Sequence, residues 1–173
     1  MQTVDIKPLS LTPEVVAALS GILIATVAGG GSVSFMHPLD GQTAEAFWRG
    51  SLAAAARGER IVLGAFASGV LVGTVSLLLD CPPNQPHRAE IAKMMTLPSH
   101  RGRGVATALM RAAEALAIEQ ARTLLTLDTA ADEGASSFYE KLGFTLAGTI
   151  PDFALKPHGG LTGAMIYWKR LGS

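Results

Sequence analysis

Leu97-Pro-Ser-His-Arg-Gly-Arg-Gly-Val-Ala-Thr-Ala-Leu-Met110 is the stretch from which the rest of the chain can be read. The apolar run from Ile91 to Leu97 has strand character, and Pro98 stops it. A short turn carries Arg101-Gly102-Arg103-Gly104, and an amphipathic helix begins at once. Glycines in such a turn let consecutive N–H groups converge on one small space. The helix adds its own unpaired N–H groups and the positive end of its dipole. Two arginines contribute forked donors and full charges suited to phosphate oxygens. These are the parts of a pyrophosphate cradle, although the fragment alone equally allows a plain helix start with surface arginines. No Lys-Ser/Thr pair ends the turn, so the P-loop of nucleotide hydrolases and its magnesium ligand are absent from it. No G-x-G-x-x-G follows a first strand, so a dinucleotide fold is unsupported.

Outward from this turn, the chain alternates helical and strand patterns. Val4 to Lys7 forms a short strand, and Thr12-Pro13-Glu14 offers an N-cap, an N1 proline and an acidic first turn. Val15, Val16, Leu19, Ile22, Leu23 and Val27 then fall at helical spacing. From Val15 to Met36 no residue is charged, but four glycines and the acidic Asp5 and Glu14 argue for a buried helix. Gly29 to Ser32 breaks it, and Thr43 to Arg57 supports a second helix with Phe47, Trp48 and Leu52 for packing. Arg60 to Phe66 and Val70 to Leu79 read as a hairpin around Ala67-Ser68-Gly69. Asp80 to His87 is a proline-rich loop, and Arg88 to Leu97 is the strand that enters the turn. The next helix is expected to bury Val105, Leu109, Ala112 and Leu116. Thr123 to Asp128 follows as a strand, and Ser136 to Leu142 as a short helix closed by Gly143. Phe144 to Thr149 and Ala164 to Arg170 complete the strands, around a Pro/Gly-rich loop at 157–163.

Composition narrows the function. The chain has 173 residues, enough for a sizeable core, and shows no repeat or linker, so residues 1–173 are read as a single domain. Lys+Arg and Asp+Glu are 14 each, so no broad field recruits nucleic acid or an acidic membrane. Cys81 stands alone, which rules out an intramolecular disulfide and gives no support for secretion. It is read as a structural thiol, and the protein as soluble and cytoplasmic. His37, His87, His100 and His158 lie singly among loops without ligand spacing, so no metal site is expected.

Arg101-Gly102-Arg103-Gly104-Val105-Ala106 resembles the coenzyme A pyrophosphate loop of the GNAT-superfamily N-acetyltransferases, whose pattern is roughly R/Q-x-x-G-x-G/A. Ala135-Ser-Ser-Phe-Tyr-Glu-Lys-Leu-Gly-Phe144 is similar to a second block of that superfamily, A-x-x-F-Y-E-K-x-G-F, in the right order. Gly29 to Met36, Arg88-Ala89-Glu90, Leu124 to Thr129 and Ile166 to Lys169 resemble segments of its tabtoxin resistance acetyltransferases, which inactivate a β-lactam dipeptide toxin or its lactam product. The resemblance implies the GNAT acyl-CoA N-acyltransferase fold, an α/β (α+β) architecture. Its mixed, mostly antiparallel central sheet of about seven strands is flanked by helices on both faces. It also implies an acetyl-CoA-dependent N-acetyltransferase acting on an amine, without metal. The family holds the pantetheine arm on backbone groups, here of Met94, Met95 and Thr96, with Met95 N–H toward the oxyanion. The pyrophosphate then falls on Arg101, Gly102, Arg103, Gly104, Val105 and Ala106.

Acetyl transfer also needs a proton acceptor for the amine and a donor for the departing thiolate. Glu90 lies in an apolar strand, where period two puts it on the face of Ala92, Met94 and Thr96. Asp128 ends the Leu-rich strand expected beside it. Both match acidic residues in the resembled enzymes, as proton acceptors or as ligands for an ammonium. The alternatives are an ion pair of Glu90 with Arg88 or Lys93, and a capping role for Asp128 over 129–134. Tyr139 occupies the superfamily's tyrosine position beside the sulfur, or is an amphipathic core residue. Asp132 departs from the asparagine of many relatives and is expected to turn away from the coenzyme. Gly29 to Met36 is expected to shape the acceptor pocket, with Trp48, Phe153 and Tyr167 as further wall or core. The expected acceptor is a small-molecule amine, and apolar strands near the C-terminus suggest a homodimer. Rival readings are a peptide or protein acetyltransferase and a non-catalytic acyl-CoA sensor.

Overall fold

The computed structural model describes residues 3–172. One seven-stranded sheet runs through it in the order β1-β2-β3-β4-β5-β7-β6. Its strands are β1 (Asp5–Pro8), β2 (Arg60–Ala67), β3 (Val70–Leu78), β4 (Arg88–Thr96), β5 (Leu124–Ala130), β6 (Thr145–Leu155) and β7 (Leu161–Arg170). Only β4 and β5 pair in parallel; every other neighbouring pair is antiparallel. The helices are α1 (Pro13–Ala28), α2 (Gly41–Ala56), α3 (Val105–Glu119) and α4 (Ser136–Lys141). The chain therefore has the mixed, mostly antiparallel sheet with flanking helices that the sequence led us to expect.

Local chemistry sets most of these boundaries. Thr12 caps α1, its hydroxyl accepting from Val15 N–H at 3.2 Å, and Pro13 opens the helix. Asp40 caps α2 by accepting from Thr43 N–H at 2.7 Å. The β2–β3 hairpin turns on Ser68 and Gly69 alone, both left-handed at φ 50° and 78°, as a type I′ turn requires. Ala67 thus belongs to the strand rather than to the turn.

Two apolar layers cover the two faces of the sheet. Val16, Leu19, Ile22, Leu23 and Val27 of α1 pack with Trp48 and Leu52 of α2 on one side. Val105, Leu109, Met110, Ala113 and Ala117 of α3 pack with Tyr139 on the other. The buried face of α3 is thus centred on Ala113 and Ala117; the Ala112 and Leu116 of the sequence reading sit at its margin, half-buried. The small residues at the centre bring the helix close to the sheet. Gly73 of β3 does the same at the other end, since a Cβ there would lie 2.9 Å from Val105 Cγ1. That approach fixes the start of α3 beside β4.

The last hairpin is longer than its sequence suggests. β6 covers 11 residues instead of ending at Thr149, and β7 starts at Leu161. Register shifts between Leu146 and Gly148, and between Ile150 and Ala154, interrupt the alternation that would have revealed it. Asp152, left-handed at φ 52°, lies in the second of these irregularities.

Candidate active site

The site grows from a fault in the sheet. β4 and β5 pair at only three positions, Arg88 with Leu124, Ala89 with Leu125 and Glu90 with Thr126. Beyond Glu90 the strands part. On the other edge of β4, Ser76 faces Ala92 and Thr74 faces Met95, so β4 spends three steps where β3 spends two. The extra residue is a β-bulge, and Lys93 within it is left-handed at φ 53°. That conformation costs a non-glycine residue about 1–2 kcal/mol.

The bulge inverts the strand. Ile91 lies in the α3 layer, whereas Met95 lies in the α1/α2 layer and Met94 packs on the α3 side. The simple alternation that put Glu90 on one face with Met94 and Thr96 therefore fails, because it assumed an unbroken period of two.

A cleft of about 660 Å³ fills the gap between the diverging strands. Glu90 to Thr96 form one wall and Leu127 to Thr129 another; Gly29 to Ser34 from the α1–α2 loop and Phe138 and Tyr139 of α4 close it. The loop is stitched down across the opening. Ser32 N–H donates to Glu133 Oε1 at 2.6 Å, His37 N–H donates to Pro157 O at 2.9 Å, and His158 Nε2 lies 2.9 Å from Ala28 O. The rings of His37 and His158 sit 4.4 Å apart.

At the end of β4 a 3₁₀ turn (Pro98–His100) leads into the glycine turn. Gly102 and Gly104 are left-handed, at φ 71° and 85°. Gly104 caps α3 without a side-chain bond, and the helix ladder opens with Ala108 N–H donating to Gly104 O at 3.0 Å. The preceding N–H groups of α3 thus face outward at the positive end of its dipole. Arg101 lines the cleft, its Nε donating to Thr96 O at 3.3 Å, and Ala106 lies opposite. Val105 has its side chain in the core, leaving only its backbone for a ligand. A pyrophosphate fits this donor set.

The three predicted chemical side chains meet in the cleft, with different surroundings. Glu90 is partly exposed and lies 3.6 Å from Arg88 Nη1. That same guanidinium donates to Gln85 Oε1 at 2.7 Å and Thr126 Oγ1 at 2.8 Å, so its hold on Glu90 is loose. Asp128 is exposed, and among the described residues no N–H of 129–134 donates to its side chain. Tyr139 is buried, with Phe138, Phe144 and Tyr167 around its ring. Burial first, and then the Asp128 and Glu133 carboxylates, push its phenol up to about 12. It stays protonated at neutral pH.

Other expectations fare unevenly. Gly29 to Ser34 do line the cleft. Trp48 and Tyr167 instead complete the core, and Phe153 projects from β6 into solvent. Asp132 turns toward the last hairpin, where it accepts from Thr162 Oγ1 and pairs with Lys156 at 3.1 Å. Cys81 Sγ donates to Arg88 O at 3.2 Å. The sequence reading gave no role in the site to Lys93 or Glu133. A cation inside the apolar run 91–97 was the one visible signal for Lys93.

The family model of the acetyltransferase (GNAT) family matches residues 33–144, from the α1–α2 loop through the glycine turn to the end of α4. The chain belongs to the GNAT acetyltransferase family. It is therefore an enzyme, an acetyl-CoA-dependent acetyltransferase. Solved GNAT folds superpose along nearly its whole length. An N-acetyltransferase from Staphylococcus aureus Mu50 is 18% identical, with a TM-score of 0.81 over 97% of this chain and 99% of that one. A ribosomal-protein-alanine N-acetyltransferase from Brucella melitensis is 21% identical, with a TM-score of 0.80 over 95% and 99%. A phosphinothricin acetyltransferase from Sinorhizobium meliloti, solved with acetyl-CoA, is 16% identical, with a TM-score of 0.81 over 96% and 89%. At these identities the likeness is one of fold. The Brucella and Sinorhizobium proteins are named for different acceptors, so the acceptor of this chain must be argued from the cleft itself.

Proposed function

We propose that this GNAT enzyme moves the acetyl group of acetyl-CoA to the amine of a small molecule, by direct transfer within a ternary complex. The observation that carries the reading is the cleft between β4 and β5, roofed by a tethered loop and bounded by the carboxylates of Glu90, Asp128 and Glu133 and a phenol. A peptide needs an open groove, and the Ser32–Glu133 contact ties the loop across this one.

Each role follows from position. The N–H groups of 101–106 and the Arg101 and Arg103 guanidiniums hold the pyrophosphate. The β5-side edge of β4 at Met94, Met95 and Thr96, abandoned by its neighbour, pairs with the pantetheine arm as an added strand. Leu97 N–H donates to Val72 O, and the same ladder turns Met95 N–H toward β3, so a backbone N–H of the opposite edge, at Met94 or Thr96, supports the carbonyl oxygen as charge develops on it. Glu90 or Asp128, directly or through a water, takes the amine proton. As the N–C bond forms and the C–S bond breaks, the Tyr139 phenol gives its proton to the sulfur. The phenol's raised pKa keeps that proton available throughout the neutral range.

The same proposal treats residues 1–173 as one catalytic domain, working in the cytoplasm. No helix among the described residues is long and apolar enough to cross a membrane. A homodimer is included on the strength of β6, an edge strand exposed along all 11 residues and carrying Leu146, Ile150, Phe153 and Leu155. Toxin resistance is the proposed biological setting, on the resemblance of 29–36, 88–90 and 124–129 to the tabtoxin resistance acetyltransferases and the fold likeness to a phosphinothricin acetyltransferase.

Titration calorimetry with acetyl-CoA, followed by thiol-release assays over a panel of amines, tests the reading. Micromolar binding and turnover of a small amine are expected. Glu90→Gln and Asp128→Asn should retain acetyl-CoA binding, and the variant lacking the true base should lose about 10²-fold or more in kcat. Full turnover in both variants would remove the carboxylates from the mechanism.

A further inference from the structure

None of the steps assigned to the cradle, the carboxylates or Tyr139 needs Lys93. Yet the fold places it in the wall of the cleft, on the bulge of β4. Its Nζ donates to Ser34 Oγ at 3.2 Å and lies 5.6 Å from the centre of the Phe47 ring. Ser34 is itself left-handed, at φ 76°. Two of the five non-glycine left-handed residues among those described therefore meet here, one from the sheet and one from the loop. Strain of this kind persists where the surrounding structure holds a side chain for use.

The charge is also incompletely answered. Among the described residues no carboxylate lies within 4.0 Å of Lys93 Nζ. Glu90 leans toward Arg88, and Asp128 and Glu90 act on Lys93 only from a distance. Burial weighs more than either of them and holds the ammonium below the usual lysine range. An anion arriving in the cleft would offset that penalty. From the same loop as Ser34, Ser32 lines the cleft, and its hydroxyl oxygen is buried without a protein partner.

We propose that Lys93, with the Ser32 hydroxyl, binds a carboxylate on the acceptor, so that the acetylated amine belongs to an amino acid. This rests on the small-molecule reading above and narrows it. Glu90 and Asp128 face the ammonium end of such a zwitterion, and Lys93 faces the opposite end. A simple amine or a polyamine leaves the lysine unpaired and adds a like charge beside it, so the cleft selects against both. Lys93 is a specificity-determining residue here and takes no proton in the transfer.

The test is thiol release with acetyl-CoA over the free L-amino acids, each paired with its carboxamide and its decarboxylated amine. In the wild type the best acid should exceed its amide at least tenfold in kcat/KM, chiefly through KM. In Lys93→Met that ratio should collapse toward one, while Lys93→Arg keeps part of it. Acetyl-CoA titration and thermal melting of both variants establish that the cradle and fold are intact. Amides consumed as well as acids, or an unchanged ratio in Lys93→Met, would overturn the assignment. Turnover of peptides or polyamines with the acids ignored would overturn it and leave acetyl transfer standing. Failure of the wild type to bind acetyl-CoA would sink the transfer reading and this one together.

Discussion

Tyr139 joins its packing to the proton donation proposed for it. Its ring completes the α3 layer against Phe144 and Tyr167, and the same burial that rewards the ring disfavours the phenolate. Tyr139→Phe keeps the packing and removes the proton. We expect kcat to fall roughly 10- to 100-fold in thiol release, with acetyl-CoA affinity unchanged by calorimetry. The pKa shift also has a stability consequence with a definite sign. The phenol titrates near 10 when solvated and near 12 in the fold, so the folded state holds its proton more tightly. Its contribution is complete below pH 10 and drains away as pH rises toward 12, at about 1.4 kcal/mol per pH unit. Denaturant midpoints of wild type and Tyr139→Phe should therefore converge or cross in that window, and parallel curves would contradict the shift.

At the scale of elements, the glycine turn and the α1–α2 loop do separate work. Gly102 and Gly104 hold left-handed geometry that an alanine resists by about 1–2 kcal/mol. No atom would meet a Cβ at Gly102, so Gly102→Ala acts through the backbone alone. It should melt only a few degrees lower yet bind acetyl-CoA at least tenfold more weakly in calorimetry. The loop is held by contacts far apart in sequence, Ser32 to Glu133 and Ala28 to His158. In Glu133→Ala the Ser32 amide should exchange hydrogen roughly tenfold faster, with amides inside β3 unaffected. Equal exchange would show that the tether does not restrain the loop.

At the scale of the whole molecule, the interior and the exposed sheet edge make opposite demands. Trp48 is fully buried between α1, α2 and the sheet, and Trp48→Ala should cost about 3–5 kcal/mol in denaturant melts. β6 is the opposite case, an edge strand whose Phe153 and Leu155 are each more than half exposed. A long apolar edge invites pairing with another chain. Light scattering should give twice the mass of one chain, and Phe153→Lys with Leu155→Lys should return it to one. A monomeric wild type would dismiss the dimer.

Much of this was legible because it is local. Thr12-Pro13-Glu14 capping α1, Ser68-Gly69 turning the hairpin, Gly143 closing α4 and the glycines after β4 each act within a few residues, where side-chain type dictates backbone geometry. Tyr139 could be read from a family block that is one continuous piece of chain, and Glu90 and Asp128 from short resembling segments within single strands. What the sequence could not carry was the parting of β4 from β5 and the bulge at Lys93. A bulge is decided by whether β3 and α3 can pack on either side of it, and Gly73, Val105 and Met95 settle that across long separations. Period-two reading therefore ran straight through Lys93, and a residue in the wall of the cleft looked like an ordinary strand lysine. The sequence by itself determined the glycine turn, most of the elements and the family; only the tertiary structure decided the extent of the last hairpin and which face each side chain of β4 would show, because register is a property of neighbours.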